Sequence, residues 1–311
     1  MKNILAVLIL LLIAPAILNA QEEVKLNTFT GTIYGTLQVP KTDQPVAVVM
    51  IIAGSGPTDR NGNNPQMQNN CLKMLADSLE MHGIGSLRYD KRGIAASKEA
   101  GIEESDLRFE NYVDDAVAWV RLLKKDARFS KVIIAGHSEG SLIGMIAAAK
   151  EHIDGYISLA GAGNSADIIL KEQLSAQPEA IRKSCYSAID SLYNGKTVSN
   201  ISPQLFSLFR PSVQPYLISW FKYNPQKEIK KLSIPILILQ GSTDLQISED
   251  DARLLSDAAP GSKLSIITGM NHILKNSGED RQENIATYSD PTLPLNASLV
   301  KEIVSFLNSF R

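Results

Sequence analysis

The chain has 311 residues, 44% of them apolar, and its 31 Lys and Arg side chains nearly balance 33 Asp and Glu, which leaves a net charge of −2. This length and composition suit one α/β domain with a buried core. The near-balanced charge, without a basic stripe, argues against nucleic acid as a partner, because nucleic-acid binding needs clustered Lys and Arg.

The first predicted element is a secretory signal peptide at residues 1–20. Lys2 precedes the apolar run ILAVLILLLIAPAI, and the small residue Ala20 stands at the expected cleavage site. The run contains Pro15 and is shorter than the ~20 apolar residues that a membrane span needs. We therefore expect cleavage, a periplasmic or secreted protein in a bacterium, and no stable membrane insertion. The oligomeric state stays open.

The remaining elements predict an α/β fold. Residues 27–39 alternate apolar and polar side chains around glycine, which predicts an antiparallel hairpin. From residue 46 onward, strand and helix patterns alternate, which predicts a mostly parallel sheet with helices on both faces. Residues 165–226 break this alternation with helical and loop sequence. We therefore predict one domain over residues 21–311 with a helical insertion at about 165–228.

The most informative motif lies at residues 131–144, KVIIAGHSEGSLIG. A β-branched run ends at GHSEG, and small residues with a helical pattern follow at once. A G-x-S-x-G motif between a strand and a helix is typical of a nucleophile elbow, in which a strained turn exposes the serine hydroxyl. Gly136 and Gly140 let the strand and the helix approach closely. Ser138 is therefore the predicted nucleophile.

Two later loops supply an acid and a base. Asp244 follows the apolar run at residues 234–240, and His272 follows a strand pattern at residues 263–268. Loops that follow buried strands are the places where open α/β sheets put ligands and catalytic groups. We therefore predict that Asp244 orients His272, and that His272 is the base for Ser138.

With these residues in this order, the chain resembles an α/β-hydrolase of the serine esterase, lysophospholipase and serine aminopeptidase-like group. The resemblance runs from about residue 46 to the C-terminus, apart from a variable middle segment. Four pieces carry it: IIAGSGPTDRNGN, GIGSLRYDKRGIAAS, AGHSEGS, and QGSTD with GMNH. It implies the α/β-hydrolase fold, with the insertion as a helical cap over the active site, and hydrolysis through an acyl-enzyme on Ser138.

The resemblance also implies an oxyanion hole made of backbone N–H groups. The loop Gly54-Ser55-Gly56-Pro57 stands where the family has its oxyanion loop. We assign the first donor to Ser55, with Gly56 as the alternative, and the second to Glu139, the residue after the nucleophile. The family often has His where this chain has Ala53, so the alignment of the loop stays open.

Other acids and histidines fit structural roles better. Glu249, Asp250 and Asp251 open a predicted helix, whose first turn favours acidic side chains. Strand alternation is expected to turn His137 away from the side of the nucleophile. Positions on or at the end of predicted helices favour surface or capping roles for the remaining candidates: Asp114, Asp115, His82 and His152.

Other kinds of site lack support in the sequence. The histidines are scattered, and neither a metal-binding His or Cys spacing nor a nucleotide-binding glycine loop occurs, so no metal or cofactor is predicted. Cys71 falls on a helical pattern and is expected to be a buried thiol. Whether it pairs with Cys185 stays open, since two distant cysteines in an oxidising compartment need not meet.

The leading functional hypothesis is a secreted serine carboxylesterase that acts on a small-molecule ester. The alternative is another acyl hydrolase or acyltransferase with the same triad, such as a lysophospholipase, a thioesterase or an aminopeptidase. An aminopeptidase needs an anionic clamp for the substrate amine, for which Glu139 or an acid of the insertion is the candidate. A third hypothesis is a non-catalytic binding protein on this fold. The apolar side chains of the insertion are expected mainly to attach it to the sheet, with a fraction facing the serine: Leu205, Phe206, Leu208, Phe209, Tyr216, Leu217, Trp220 and Phe221.

Overall fold

The computed structural model of the chain describes residues 21–309. The predicted signal peptide, residues 1–20, lies outside the described residues and stays a prediction. The strands are β1 (Gln21–Thr28), β2 (Gly31–Gln38), β3 (Val46–Ile52), β4 (Gly85–Tyr89), β5 (Phe129–His137), β6 (Gly155–Leu159), β7 (Ile236–Gly241) and β8 (Lys263–Ile267). The helices are α1 (Cys71–Met81), α2 (Phe109–Lys124), α3 (Glu139–Lys150), α4 (Ala166–Gln173), α5 (Glu179–Tyr193), α6 (Phe206–Phe209), α7 (Gln214–Trp220), α8 (Pro225–Ile229), α9 (Glu249–Ala258), α10 (Arg281–Ala286) and α11 (Ala297–Asn308).

The strands form one eight-stranded sheet in the order β1-β2-β4-β3-β5-β6-β7-β8. The first two strands are antiparallel to each other, and β2 is antiparallel to β4. From β4 to β8 every neighbouring pair is parallel. The α/β-hydrolase fold predicted from the sequence is confirmed. The predicted hairpin is also present, and it begins at Gln21, earlier than its alternating pattern indicated.

The core lies in two layers, one on each face of the sheet. Strand β3 shows why: Val48 and Met50 pack into one layer, whereas Val49 and Ile51 pack into the other. Because successive side chains of a strand point to opposite faces, an uninterrupted apolar run indicates burial on both sides. Apolar faces of α2, α3 and α9 cover the first layer, and those of α1 and α11 cover the second.

The segment between β6 and β7 contains helices α4 to α8. Its apolar side chains divide between the core and a cavity described below. Phe209 and Phe221 are buried in the core, whereas Phe206 is exposed. The division of the chain into a hydrolase domain and a cap at about 165–228 stays a prediction.

The two cysteines lie on opposite faces of the sheet. Cys71 belongs to the layer under α1, and Cys185 belongs to the layer that α5 joins. Both are free thiols and both are buried. Burial raises the pKa of Cys71 to about 12, so its thiol stays protonated and unreactive at neutral pH. Within residues 21–309, no helix combines the length and the apolar character that a membrane crossing requires.

Candidate active site

Ser138 sits at the sharp turn between β5 and α3. Its backbone has φ 54° and ψ −121°, in the left-handed half of conformational space that a residue with a side chain rarely adopts. The turn needs glycine on both sides. A Cβ at Gly136 would collide with the backbone of Gly140, and a Cβ at Gly140 would collide with the carbonyl of Ile52. The predicted strand–turn–helix geometry of the elbow is confirmed.

Asp244 and His272 form a buried hydrogen-bonded pair on the loops that follow β7 and β8. The Nδ1–H of His272 donates to Oδ2 of Asp244 over 2.8 Å, and their side chains are 5% and 0% exposed. The other carboxylate oxygen, Oδ1, accepts backbone N–H bonds from Gln246 at 2.7 Å and Ile247 at 3.0 Å. This bonding fixes the carboxylate and, through it, the orientation and tautomer of the imidazole.

The same contacts decide the charge of Asp244. Burial would raise the pKa of this carboxyl, but His272 and the backbone N–H groups of Gln246 and Ile247 outweigh burial and hold the pKa below its usual 3.8. Asp244 is therefore ionised at neutral pH and can stabilise a positive charge on His272.

His137 packs behind this pair, in a place that the sequence did not indicate. Its ring lies against the ring of His272 with centroids 4.9 Å apart, and its Nε2–H donates to the carbonyl oxygen of His272 over 2.8 Å. Burial, with a smaller contribution from the nearby His272, lowers the pKa of His137 to about 4, so the ring is neutral at neutral pH. His137 immediately precedes Ser138, and it therefore links the loop of His272 to the elbow.

A cavity of about 620 Å³ opens over the elbow. Ser138 lines it together with Ser55 and Glu139, the residues predicted to supply the oxyanion donors. Glu139 is the first residue of α3, so its N–H has no acceptor within that helix. Gln246 and Ile247 also line the cavity, so the loop that holds Asp244 forms part of its wall. The structure thus places Asp244 and His272 in direct contact and the other three predicted residues on one cavity.

The Glu139 side chain belongs to a buried polar network. Its Oε2 forms an ion pair with Nζ of Lys91 at 2.9 Å, and both side chains are 2% exposed. Its Oε1 accepts a hydrogen bond from the hydroxyl of Tyr216 on α7. Lys91 also donates to the carbonyl of Gly54 over 2.6 Å, and its Nζ lies 4.9 Å from the ring centroid of Tyr112. Sequence reasoning missed Lys91 and Tyr216. A lysine two positions after the buried strand β4 was the available signal.

Two more ion pairs border the cavity. Arg210, in the segment between β6 and β7, pairs with Glu104, which also accepts from Ser212. Arg92 pairs with Asp115 on α2. The expectation that Asp115 faces solvent or caps the helix was wrong, because its side chain is 5% exposed and is bonded by the guanidinium through both oxygens.

The rival acids and histidines lie in structural positions. Asp251 closes a capping box with Ser248 at the start of α9 and accepts from the backbone of Gly163. Asp250 is 91% exposed. His82 ends α1 with its ring bonded to the carbonyl of Ser78. Over residues 21–309, no group of three or more His, Cys, Asp or Glu side chains is arranged to hold a metal ion.

The chain is similar to known hydrolases. Residues 67–207 match the family described as serine aminopeptidase, S33, a span that includes Ser138 and ends before Asp244 and His272. Esterase EstD from Thermotoga maritima is 27% identical over 252 residues, which are 79% of this chain and 59% of that protein. The chain thus spans less than two thirds of the length of this curated relative.

Solved structures share the fold. Est1E from Butyrivibrio proteoclasticus, solved with ferulic acid bound, matches with a TM-score of 0.60 at 19% identity, over 89% of this chain and 96% of that one. The Pyrococcus furiosus esterase PF2001 matches with a TM-score of 0.60 at 13% identity, over 94% and 91% of the two chains.

Proposed function

We propose that the chain is a serine esterase that cleaves carboxylic esters in the periplasm or outside the cell, built on a fold that it shares with solved esterases. One observation carries the proposal: a buried, ionised Asp244 orients His272, and the loop that bonds Asp244 shares a cavity with the strained turn at Ser138. An esterase as a relative supports the same reaction.

In the proposed mechanism, Ser138 attacks the ester carbonyl and His272 takes its proton. The Oγ–C bond forms as the carbonyl π electrons move onto oxygen. The bond between the carbonyl carbon and the alkoxide oxygen then breaks, and His272 gives its proton to that oxygen. The alcohol departs, and the acyl group stays bound to Ser138 as the acyl-enzyme. Water, deprotonated by His272, hydrolyses the acyl-enzyme and restores Ser138. Asp244 keeps Nδ1 of His272 protonated and stabilises the imidazolium, while Nε2 exchanges the proton.

The tetrahedral oxyanion would be held by the backbone N–H groups of Ser55 and Glu139. Such donors act strongly because they are fixed in place before the charge develops and lie where little water reaches. The N-terminus of α3 adds a partial positive charge at the same point. Removal of one donor costs roughly 10²–10³ in turnover in related chemistry.

The cavity favours an uncharged, apolar substrate. Its volume of about 620 Å³ lies within the ~300–1,000 Å³ typical of small-molecule sites. Its charged side chains are matched in pairs: Lys91 with Glu139, Arg92 with Asp115, and Arg210 with Glu104. A charged substrate group would lose its water without gaining an unpaired partner, which is costly. Much of the remaining wall is apolar: Leu107, Tyr112, Leu142, Ile169, Leu208, Val213, Leu217 and Trp220.

An aminopeptidase is the second candidate, favoured by the family match over residues 67–207. Such an enzyme needs a carboxylate for the substrate ammonium group. Among the described residues that line the cavity, the carboxylates are Glu104 and Glu139, and both are already paired with a cation. The charge pattern therefore favours the ester over the peptide.

The test compares hydrolysis of p-nitrophenyl esters from acetate to palmitate with hydrolysis of leucine p-nitroanilide, using wild type and Ser138→Ala. We expect ester turnover that depends on Ser138, a chain-length optimum, and little anilide cleavage. Ser138→Ala removes only the side-chain oxygen atom, so it serves as a matched control for background hydrolysis. Labelling by a fluorophosphonate should also depend on Ser138.

Two results would overturn the proposal. Cleavage of the anilide without turnover of any ester would establish an aminopeptidase. Absence of both turnover and fluorophosphonate labelling in a folded protein would favour a binding protein on a hydrolase fold.

A further inference from the structure

The Lys91 ammonium group joins the C-terminal ends of three neighbouring strands. Lys91 lies on the loop after β4, Gly54 follows β3, and Glu139 follows the elbow at the end of β5. In the sheet, β3 lies between β4 and β5. The side chain thus crosses above the end of β3, where Nζ donates to the Gly54 carbonyl at 2.6 Å and to the Glu139 carboxylate at 2.9 Å.

Both partners of Lys91 belong to the peptide segments that would bind the oxyanion. The carbonyl of Gly54 is part of the same peptide unit as the N–H of Ser55. Because a peptide unit is planar, a bond that fixes the carbonyl also fixes the direction of that N–H. The carboxylate of Glu139 belongs to the residue whose own N–H is the second donor. One ammonium group therefore constrains both donors and the spacing between them.

The charged groups of Lys91 and Glu139 have partners within the protein. The ammonium donates twice and also lies over the Tyr112 ring, while the carboxylate receives Lys91 on one oxygen and Tyr216 on the other. Burial holds the pKa of Tyr216 well above its usual 10, with nearby Glu139 adding to the effect, so its hydroxyl stays protonated as a donor. The buried charges of Lys91 and Glu139 are therefore accounted for by contacts within the protein, without a contact to substrate.

We propose that Lys91 is a positioning residue for the oxyanion hole, which it holds in its working geometry through Gly54 and Glu139. Tyr216 adds a link from α7 of the insertion, so the helix that lines the substrate cavity also restrains the second donor. The inference rests on the proposed function, in which the N–H groups of Ser55 and Glu139 bind the oxyanion.

The test uses Lys91→Met and the double variant Lys91→Met/Glu139→Gln in the full chain. Methionine keeps much of the lysine volume but removes the ammonium. In the single variant Glu139 becomes an unpaired buried charge, which destabilises the fold. The double variant has no such charge, so it should regain stability without regaining the bridge to Gly54. A purely structural pair would recover stability and turnover together.

The expected result concerns rate rather than substrate binding. In both variants kcat for p-nitrophenyl butyrate should fall about 10²-fold, comparable to loss of one oxyanion donor, with KM changed less than about threefold. The rate of fluorophosphonate labelling should fall by a similar factor. Arg60→Met is the matched control, because it removes a buried ion pair with Asp90 at 2.7 Å and should leave turnover of the folded enzyme within about twofold.

A folded double variant with wild-type kcat and labelling rate would overturn the inference. So would a drop in kcat that Arg60→Met reproduces, because general loosening would then explain it. If wild type hydrolyses no ester, the proposed function fails, but the fluorophosphonate rate still tests the role of Lys91. Labelling that Lys91→Met/Glu139→Gln slows supports the inference, and labelling at an unchanged rate overturns it.

Discussion

Two buried pairs of hydrogen-bonded side chains lie near the elbow, and they differ in the chemistry of the nitrogen that donates to the carboxylate. Asp244 and His272 meet at 2.8 Å on the loops after β7 and β8, whereas Lys91 and Glu139 meet at 2.9 Å on the loops after β4 and β5. Asp244 orients an imidazole, the side chain most often used as a general acid or base in enzymes, whereas Glu139 bonds an ammonium group that also donates to the Gly54 carbonyl. The first pair suits proton transfer, and the second holds neighbouring segments of the chain together.

Comparing the two pairs shows whether a buried charge contributes to stability or to the geometry of the site. A buried ion pair adds little net stability, because desolvation offsets most of the attraction between its charges. Stability alone therefore explains neither pair. The Asp244 carboxylate has backbone donors on its second oxygen and a neutral histidine behind its partner. The Glu139 carboxylate is bonded by Lys91 and Tyr216, and Glu139 lines the cavity over the elbow.

The largest expected effect sharpens the contrast between proton transfer and positioning. His272→Ala removes the base, and kcat for p-nitrophenyl butyrate should fall roughly 10⁶-fold, as when a serine hydrolase loses its histidine. The fall should exceed that of Lys91→Met by several orders of magnitude. His152→Ala, at an exposed histidine, is the control and should keep wild-type kcat. A loss below about 10²-fold in His272→Ala would mean that another group is the base.

The next effect distinguishes Asp244 from Asp250, two of the carboxylates that the sequence offered as candidates for orienting His272. Asp244→Asn should lower kcat about 10⁴-fold with little change in KM, because the amide favours the wrong imidazole tautomer and cannot stabilise the imidazolium. Asp250→Asn makes the same chemical change at a side chain that is 91% exposed, and we expect no loss. Steady-state kinetics on both variants decide the matter: full activity in Asp244→Asn would remove Asp244 from the mechanism.

Much of the framework could be predicted because it depends on local sequence. The apolar runs of β3 and β5 and the glycines beside Ser138 specify a buried sheet and a tight elbow. Asp244 and His272 stood out because each lies on the short loop after a strand pattern, and parallel strands end at a common edge. Their hydrogen bond was therefore a reasonable expectation from chain order, although nearly 30 residues separate them.

The second pair could not be predicted in the same way. Lys91 and Glu139 are 48 positions apart, and lysine is commonly solvent-exposed, so nothing local indicates a buried ammonium. Asp115 was misjudged for the same reason, because its partner Arg92 comes from another loop. Tyr216 lies between β6 and β7, where a helical sequence pattern without strand alternation gives no register relative to the sheet. Such contacts follow from tertiary packing rather than from periodicity.

The smallest predicted effect is on stability and concerns His137, which strand alternation was expected to point away from the nucleophile. It tests the environment of the Asp244–His272 pair. Burial holds its folded pKa at about 4, below the usual 6.5. Between these values the unfolded chain binds a proton that the folded protein does not, so the free energy of unfolding decreases as pH falls. From pH 7 to pH 5 this residue should lower the free energy of unfolding by about 2 kcal/mol.

His137→Gln tests this contribution, because it keeps an N–H for the His272 carbonyl but cannot titrate. In urea unfolding, the variant should lose less stability between pH 7 and pH 5 than the wild type, by about that amount. His82→Gln, at an exposed position, should keep the wild-type dependence. If His137→Gln keeps the full pH dependence of the free energy of unfolding as well, His137 is protonated in the folded state. The Asp244–His272 pair would then have no neutral histidine behind it, and this difference from the Lys91–Glu139 pair would disappear.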